Sequence, residues 1–390
     1  MYDSIVIGGG IVGSSAAYHL SRKGKRTLLL DQFHLPTTRG SSHGVGRIHR
    51  SSYANQLYAK MSLEALEHWK QLERETNTNL YRQTGMIVID KPPFKELEAM
   101  KANNKALGVE CEILSPEMVQ DRYPGLVKIP KNHKALLETN AGFLRADKAL
   151  ECLRMQIKKF GGQINDSEKV ENILPGSVVT VRTEKGTYKT KSLIITPGPW
   201  ICKLMKPLGL NLPIRVVKIT LCYWTEKIPG QSKKYPTFCD FGIDKPDGFT
   251  EPVYVFGFPS IEYNGLRKIS VHHGTGVDPD QRDSFIADET KDVQFLLNYM
   301  KRRFPEYGDN PDPAIIEKCM YSFTPDEDFI IDTLPGHPNI VYGCGFSGHG
   351  FKMAPVTGRV LGEMALGEKV SYDVSSLSMK RFPTVIASKY

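Results

Sequence analysis

The sequence predicts an α/β fold in which a parallel-sheet domain is interrupted by a second, β-rich (α+β) domain. Two observations lead there. A strand, a glycine turn, a helix and a second strand follow one another between Ser4 and Asp31. Strand and helix alternate again near the C-terminus, whereas 214–273 reads as strands separated by turn residues.

Ser4 to Ile7 is a short apolar run bounded by Gly8-Gly9-Gly10. Ile11 to Arg22 has helical spacing, and Arg26 to Leu30 is a second apolar strand ending at Asp31. Together they form one right-handed βαβ unit. Amphipathic helices are expected over Pro93 to Leu107, Pro116 to Arg122 and Ala146 to Phe160. Strands follow around Val178–Thr183 and Ser192–Thr196, and Ile214 to Trp224 is β-rich. Thr225 to Glu251, dense in Pro, Gly and Lys, reads as a long loop of the kind that is functional or disordered. Val253–Phe258, Arg267–His273 and Asn339–Tyr342 are further strands, and Pro355 to Ala365 is a helix. Residues 1–85, 145–215 and 320–390 are assigned to the nucleotide domain, and 86–144 and 216–319 to the inserted substrate domain.

Composition narrows the classes. The 390 residues carry 51 basic and 43 acidic side chains, a net charge of +8, with no basic block suited to nucleic acid. Hydrophobic residues at 40% and charged residues at 24% describe a globular protein with a large core. Seven cysteines at irregular spacing, without a C-x-x-C pair, argue against a disulfide framework or a metal site. Most of them read as small buried fillers. There is no run of 18 apolar residues and no basic leader before the first apolar stretch, so the expectation is a soluble intracellular protein.

Three segments bear chemistry. Gly8-x-Gly10-x-x-Gly13 followed by Asp31 is a Rossmann-type dinucleotide fingerprint. Its glycines permit a tight turn and close approach of backbone to a pyrophosphate, and the acid can accept ribose hydroxyls. The motif does not separate FAD from NAD. Arg39-Gly-Ser-Ser-His-Gly-Val-Gly-Arg47-Ile-His-Arg50 can present two guanidinium groups to a carboxylate, although its residue types fit a solvated basic loop equally well. Gly345-Phe-Ser-Gly-His-Gly-Phe-Lys352 runs into an apolar helix and can aim backbone donors at an electron-rich ring, or be a turn with a surface lysine.

These segments, with Arg82-Gln-Thr-Gly85, Pro197-Gly-Pro-Trp200, Cys222-Tyr-Trp224, His272-His-Gly274, Cys319-Met-Tyr321 and Thr324-Pro-Asp-Glu327, span the chain. In this order they resemble the monomeric sarcosine oxidase family of FAD-dependent amine oxidases, nearest to its animal peroxisomal sarcosine/L-pipecolate oxidases. The resemblance implies FAD bound at Gly8, Gly10, Gly13, Asp31, Ser42, His43, Arg47, Val170, Gly198, Trp200, Phe346, Gly348 and Lys352, with a covalent 8α-thioether to Cys319. It implies a substrate carboxylate held by Arg50 and Lys352, with Arg47 beside the flavin ring. Lys268 matches the lysine that activates oxygen, His272 the active-site histidine, and Tyr321 a pocket residue. Phe256, Gly46 and His49 depart from the family, which has a tyrosine, a Thr or Ser, and an aliphatic residue there.

The implied reaction is oxidation of a secondary amino acid, sarcosine or L-pipecolate, by hydride transfer to flavin N5. Oxygen is then reduced to hydrogen peroxide. Activity is expected to rise above neutral pH as the amine loses its proton. Oxidation of glycated (Amadori) amino acids, electron transfer to an acceptor other than oxygen, a non-catalytic flavin-binding sensor and an NAD-dependent oxidoreductase are the rivals. Ser388-Lys389-Tyr390 resembles a peroxisomal address with its last residue changed, so peroxisomal import through its receptor is expected, with the cytoplasm otherwise. A monomer is expected, without nucleic-acid or membrane partners.

Overall fold

The computed structural model describes residues 1–249, 252–284, 290–308 and 312–383. The tail Ser388-Lys389-Tyr390 lies outside the described residues, as do Thr250 and Glu251 at the end of the expected long loop. β1 (Tyr2–Ile7), α1 (Ile11–Arg22) and β2 (Thr27–Leu30) form the expected βαβ unit. β1 pairs in parallel with β2 on one side and with Thr187–Ile195 on the other. The first sheet extends through Gln163–Asn165 beyond β2 and through Val179–Thr183 and Val170–Leu174 beyond Thr187–Ile195. The last residues of that long strand turn instead to His337–Cys344, again in parallel.

Helices Ala146–Lys159 and Gly350–Ala365 cover one face with α1. The last of these approaches α1 very closely, since a Cβ at Gly358 would lie 2.6 Å from the Ala16 amide nitrogen. Pro355 sits inside this helix, which begins five residues before the expected start, at Gly350. As the sixth helical residue it lies past the first turn and removes one ladder hydrogen bond, to the Phe351 carbonyl.

After β3 (Gly46–His49) comes α2 (Gln56–Thr76), a helix the sequence reading did not assign. Its signals are present: Asn55 caps the Leu57 amide at 2.9 Å, and Tyr58, Ser62, Ala65, Trp69 and Leu72 share the buried face. α2 also fixes the end of the C-terminal helix, because Trp69 Nε1 donates to Lys352 O at 2.9 Å.

The second, nine-stranded sheet draws Met86–Asp90, Cys111–Leu114 and Lys134–Glu138 together with strands between 215 and 323. Arg215–Thr225 and Ile315–Phe323 pair from Arg215 opposite Phe323 to Tyr223 opposite Ile315. The expected boundaries at 215/216 and 319/320 therefore fall inside two paired strands, where no turn residue interrupts the β-branched and aromatic run. The expected loop Thr225–Glu251 also contains structure: Gln231–Lys234 is a 3₁₀ turn, and Thr237–Asp240 pairs in parallel with Met86–Asp90. A small third sheet joins β3 to Gly142–Arg145 and Tyr81–Gln83 between the two larger ones.

Candidate active site

A cavity of about 1090 Å³ runs from Gly8–Ile11 and Asp31, past Val170, Gly198 and Trp200, to Arg47, Tyr321, Phe346 and Gly348. At its outer end the glycines have no room for side chains. A Cβ at Gly13 would lie 1.9 Å from Gly8 O, and Gly8 itself has φ +102°. Asp31 accepts the Gly9 amide at 2.7 Å and the Phe33 amide at 2.8 Å, and burial raises its carboxyl above the usual range. Ser42 Oγ accepts the Ile11 amide at 3.0 Å, so the loop bearing the first arginine is tied to the helix N-terminus. This cradle suits a dinucleotide pyrophosphate and ribose.

Midway along, Cys319 lies beneath the 39–47 loop, with Sγ 3.7 Å from Ser41 O and 4.0 Å from His43 Nδ1. His43 places Nδ1 2.6 Å from Gly40 O and Nε2 2.9 Å from Lys318 O. Both partners are acceptors, an arrangement that favours the doubly protonated ring. Its pKa is accordingly raised: burial opposes the charge, and Cys319 and Gly40 O more than offset that. Burial likewise pushes the Cys319 thiol up, yet His43 and Arg47 bring it down to about 7. A thiolate is thus accessible at neutral pH. Arg47 is locked by Gly46 O at 2.7 Å, Ser41 O at 2.9 Å and His43 O at 2.6 Å.

Beyond Tyr321, Gly348 and Phe351, which line the inner end, residues from four distant segments pack together. Lys352, on the first turn of the C-terminal helix, donates to Tyr53 Oη at 3.0 Å and to His349 O at 3.1 Å. The Arg50 guanidinium lies 4.0 Å over the Tyr53 ring. Among the described residues neither cation has a carboxylate within ion-pair distance. Burial, reinforced by Arg50, depresses the Lys352 ammonium to about 7. His272 stacks on Tyr254 at 4.1 Å, lies 5.1 Å from the Tyr321 ring, and is pushed down to about 3 by burial and by Lys352, so it is neutral. A Cβ at Gly348 would meet His272 Cε1 at 2.5 Å and Tyr321 Cε2 at 2.8 Å, so only a glycine brings the helix entrance against this wall.

The structure therefore lines the cavity with Arg47 and Tyr321, sets Cys319 under the 39–47 loop, and packs Arg50, His272 and Lys352 beyond Gly348, Tyr321 and Phe351. Lys268 differs: its Nζ does not line the cavity but pairs with Glu262 Oε2 at 3.2 Å, both side chains being buried. Sequence reasoning missed Tyr53, Tyr254 and Glu262. Tyr254 lies just before the strand Val255–Tyr263, and its ring packs between Phe241 at 4.6 Å and His272 at 4.1 Å. His49 is fully buried and packs edge-on against Tyr81 at 5.7 Å.

Residues 3–364 match the family of FAD-dependent oxidoreductases. The long cavity, the glycine cradle and Asp31 fit FAD, so fold and site define a FAD-dependent oxidoreductase. The chain is 43% identical to human peroxisomal sarcosine oxidase, over 99% of this chain and 97% of the human one. It is 32% identical to monomeric sarcosine oxidase of Bacillus sp. (strain NS-129), over 97% of each. The fold also matches L-proline dehydrogenase from P. horikoshii with TM-score 0.82, 20% identity and 98% of each chain covered. Within the class the chain belongs to the sarcosine oxidase family, and it is a FAD-dependent amine oxidase.

Proposed function

We propose that the chain oxidises secondary amino acids of the sarcosine and L-pipecolate type, with oxygen as acceptor and hydrogen peroxide as product. The observation behind this is the pair of cations Arg50 and Lys352, joined through Tyr53 and with no carboxylate in ion-pair distance among the described residues. Two positive groups at one buried spot are stabilised by an anionic ligand, and a planar guanidinium favours a carboxylate. When bound, FAD supplies the two-electron acceptor for the C–H bond beside the amine nitrogen. Arg50 and Lys352 orient the acid. Neutral His272, held by its stack on Tyr254, faces the amine side without adding charge, and Tyr321 and Gly348 exclude water.

Cys319 is the proposed point of covalent FAD attachment, supported by the thiolate-favouring contacts of His43 and Arg47. The first sheet serves as the cofactor domain and the second as the substrate domain. A peroxisomal location is supported by the name of the human relative, and a monomer by the names of the bacterial relatives. Peroxide formation in air, measured with sarcosine, L-pipecolate, a glycated amino acid and a secondary amine lacking the acid, tests the reading. The first two are expected to react, and the amine without carboxylate to react poorly. Preference for the glycated compound contradicts it.

A further inference from the structure

The second sheet sends one segment back to the rim of the cofactor cavity. After the short strand Thr275–Gly276, the Val277 amide donates to Val216 O at 3.0 Å, and the chain leaves the sheet through the 3₁₀ turn Pro279–Gln281. Asp278 fixes this turn by accepting the Asp280 amide at 2.9 Å. Asp280 lines the cavity and accepts Trp200 Nε1 at 2.7 Å. Lys203, another lining residue, pairs with Asp280 and, at 2.6 Å, with Asp278. The stretch 200–203 is thereby tied to the segment.

The residues that follow tie down two further stretches. The Phe33 ring meets the Trp200 ring edge-on, centroids 5.1 Å apart, and both rings line the cavity. The Arg39 guanidinium lies 5.8 Å over the Phe33 ring and pairs with Asp283. Asp283 also holds Arg282 at 3.2 Å. Arg282 is only 8% exposed and donates through Nη2 to Lys318 O at 2.9 Å. That carbonyl, one residue before Cys319, is also 2.9 Å from His43 Nε2. Residues 278–283 thus join three parts of the cavity wall that are far apart in sequence. The pairs made by Lys203 and Arg39 are exposed, so each contributes little and weakens with salt. The indole–carboxylate bond and the buried Arg282–carbonyl bond are charge-assisted and stronger. Because the segment grips the rim through side chains, it can lift without breaking a strand pair.

We propose that residues 278–283 form a clasp over the FAD cavity, with Asp280 and Arg282 as its positioning residues, and that the clasp lifts for the cofactor to enter or leave. Asp280 holds the Trp200 ring against Phe33. Arg282 holds the carbonyl before Cys319, and Asp283 links that hold to Arg39 above Phe33. The clasp acts on how long FAD stays bound and supplies no group to the reaction.

The test follows exchange of bound FAD for isotopically labelled FAD in FAD-loaded protein carrying Cys319→Ser. This parent keeps the flavin exchangeable whether or not the thiol is its point of attachment. The mass of the bound flavin reports exchange, and the visible spectrum reports the surroundings of its ring. Asp280→Ala and Arg282→Ala are each expected to speed exchange by at least about tenfold, the effect of one charge-assisted hydrogen bond, with the bound spectrum unchanged. Arg282→Lys should recover part of the slow exchange. Exchange from the parent should quicken as KCl is added, and Asp278→Asn/Asp283→Asn should exchange faster at low salt and lose most of that response. Exchange as slow as the parent's in both alanine variants overturns the clasp. So does an unaltered salt response in the paired asparagine variant. Faster exchange with a spectrum shifted toward free flavin also overturns it, since the flavin's own surroundings have then been disturbed. Should Arg282→Ala not fold, Asp280→Ala, at an exposed side chain, decides the question.

Discussion

Two side chains at the site titrate near neutrality, and each sets a pH dependence. Lys352 is depressed to about 7, so it is charged below that pH and neutral above it. An acid that binds between Arg50 and Lys352 meets two cations at pH 6 and one at pH 8. Acetate binding, followed by the flavin spectrum, should therefore tighten as pH falls through about 7. In Lys352→Met the affinity should drop by roughly 1.5–3 kcal/mol at low pH and lose this slope. Cys319, brought to about 7, has the opposite consequence, because the thiolate is lost as pH falls. Covalent FAD incorporation into apoprotein should slow below pH 7, and slow further when His43→Asn removes the imidazolium. After acid precipitation the yellow colour should stay with the pellet, and in Cys319→Ser it should pass to the supernatant. Release from the unmodified protein contradicts attachment at Cys319. The residue types at the site were legible in the sequence because they lie in short motifs. Glu262 and Tyr254 were not, because their roles arise from strand pairing that brings distant segments together.

Two close approaches decide how the elements sit. The helix Gly350–Ala365 carries Lys352 and crosses α1 at Gly358, where a Cβ would come within 2.6 Å of backbone. Gly358→Ala should force the helices apart and lower stability by about 1–3 kcal/mol, measured by denaturant unfolding of the FAD-free protein. Weaker acetate binding in the loaded variant would show that Lys352 has moved with the helix. An unchanged unfolding midpoint would mean that the helices shift at no cost. Gly46→Ser should displace the Phe143 ring and Glu262, with a loss of similar size. The first βαβ unit was readable to within a residue or two because its strands are short apolar runs bounded by glycine. α2 escaped because its buried face mixes Tyr, Ser, Ala and Trp, a weak apolar stripe until Asn55 is recognised as the cap. The strand Thr237–Asp240 escaped because it is four residues long and pairs with a strand some 150 positions earlier.

At the scale of the molecule, the first sheet brings the glycine turn and the N-terminus of α1 to the cavity, and Tyr321 of the second sheet lines the same cavity. The fold class was predictable, since the glycine fingerprint and the β-rich middle are each local. The second sheet's order was not, because Met86–Asp90 joins it across Thr237–Asp240 rather than through its chain neighbours on the 215–323 side. Arg50 comes from the loop after β3 and Lys352 from the C-terminal helix, so the proposed carboxylate clamp exists only in the folded chain. The most direct test of that clamp is anaerobic mixing of the yellow protein with sarcosine or L-pipecolate, and with the matching amines that lack the acid group. Rapid bleaching by the amino acids, with slow or no bleaching by the plain amines, is the predicted result. Equal bleaching by both, or none by either amino acid, contradicts the account.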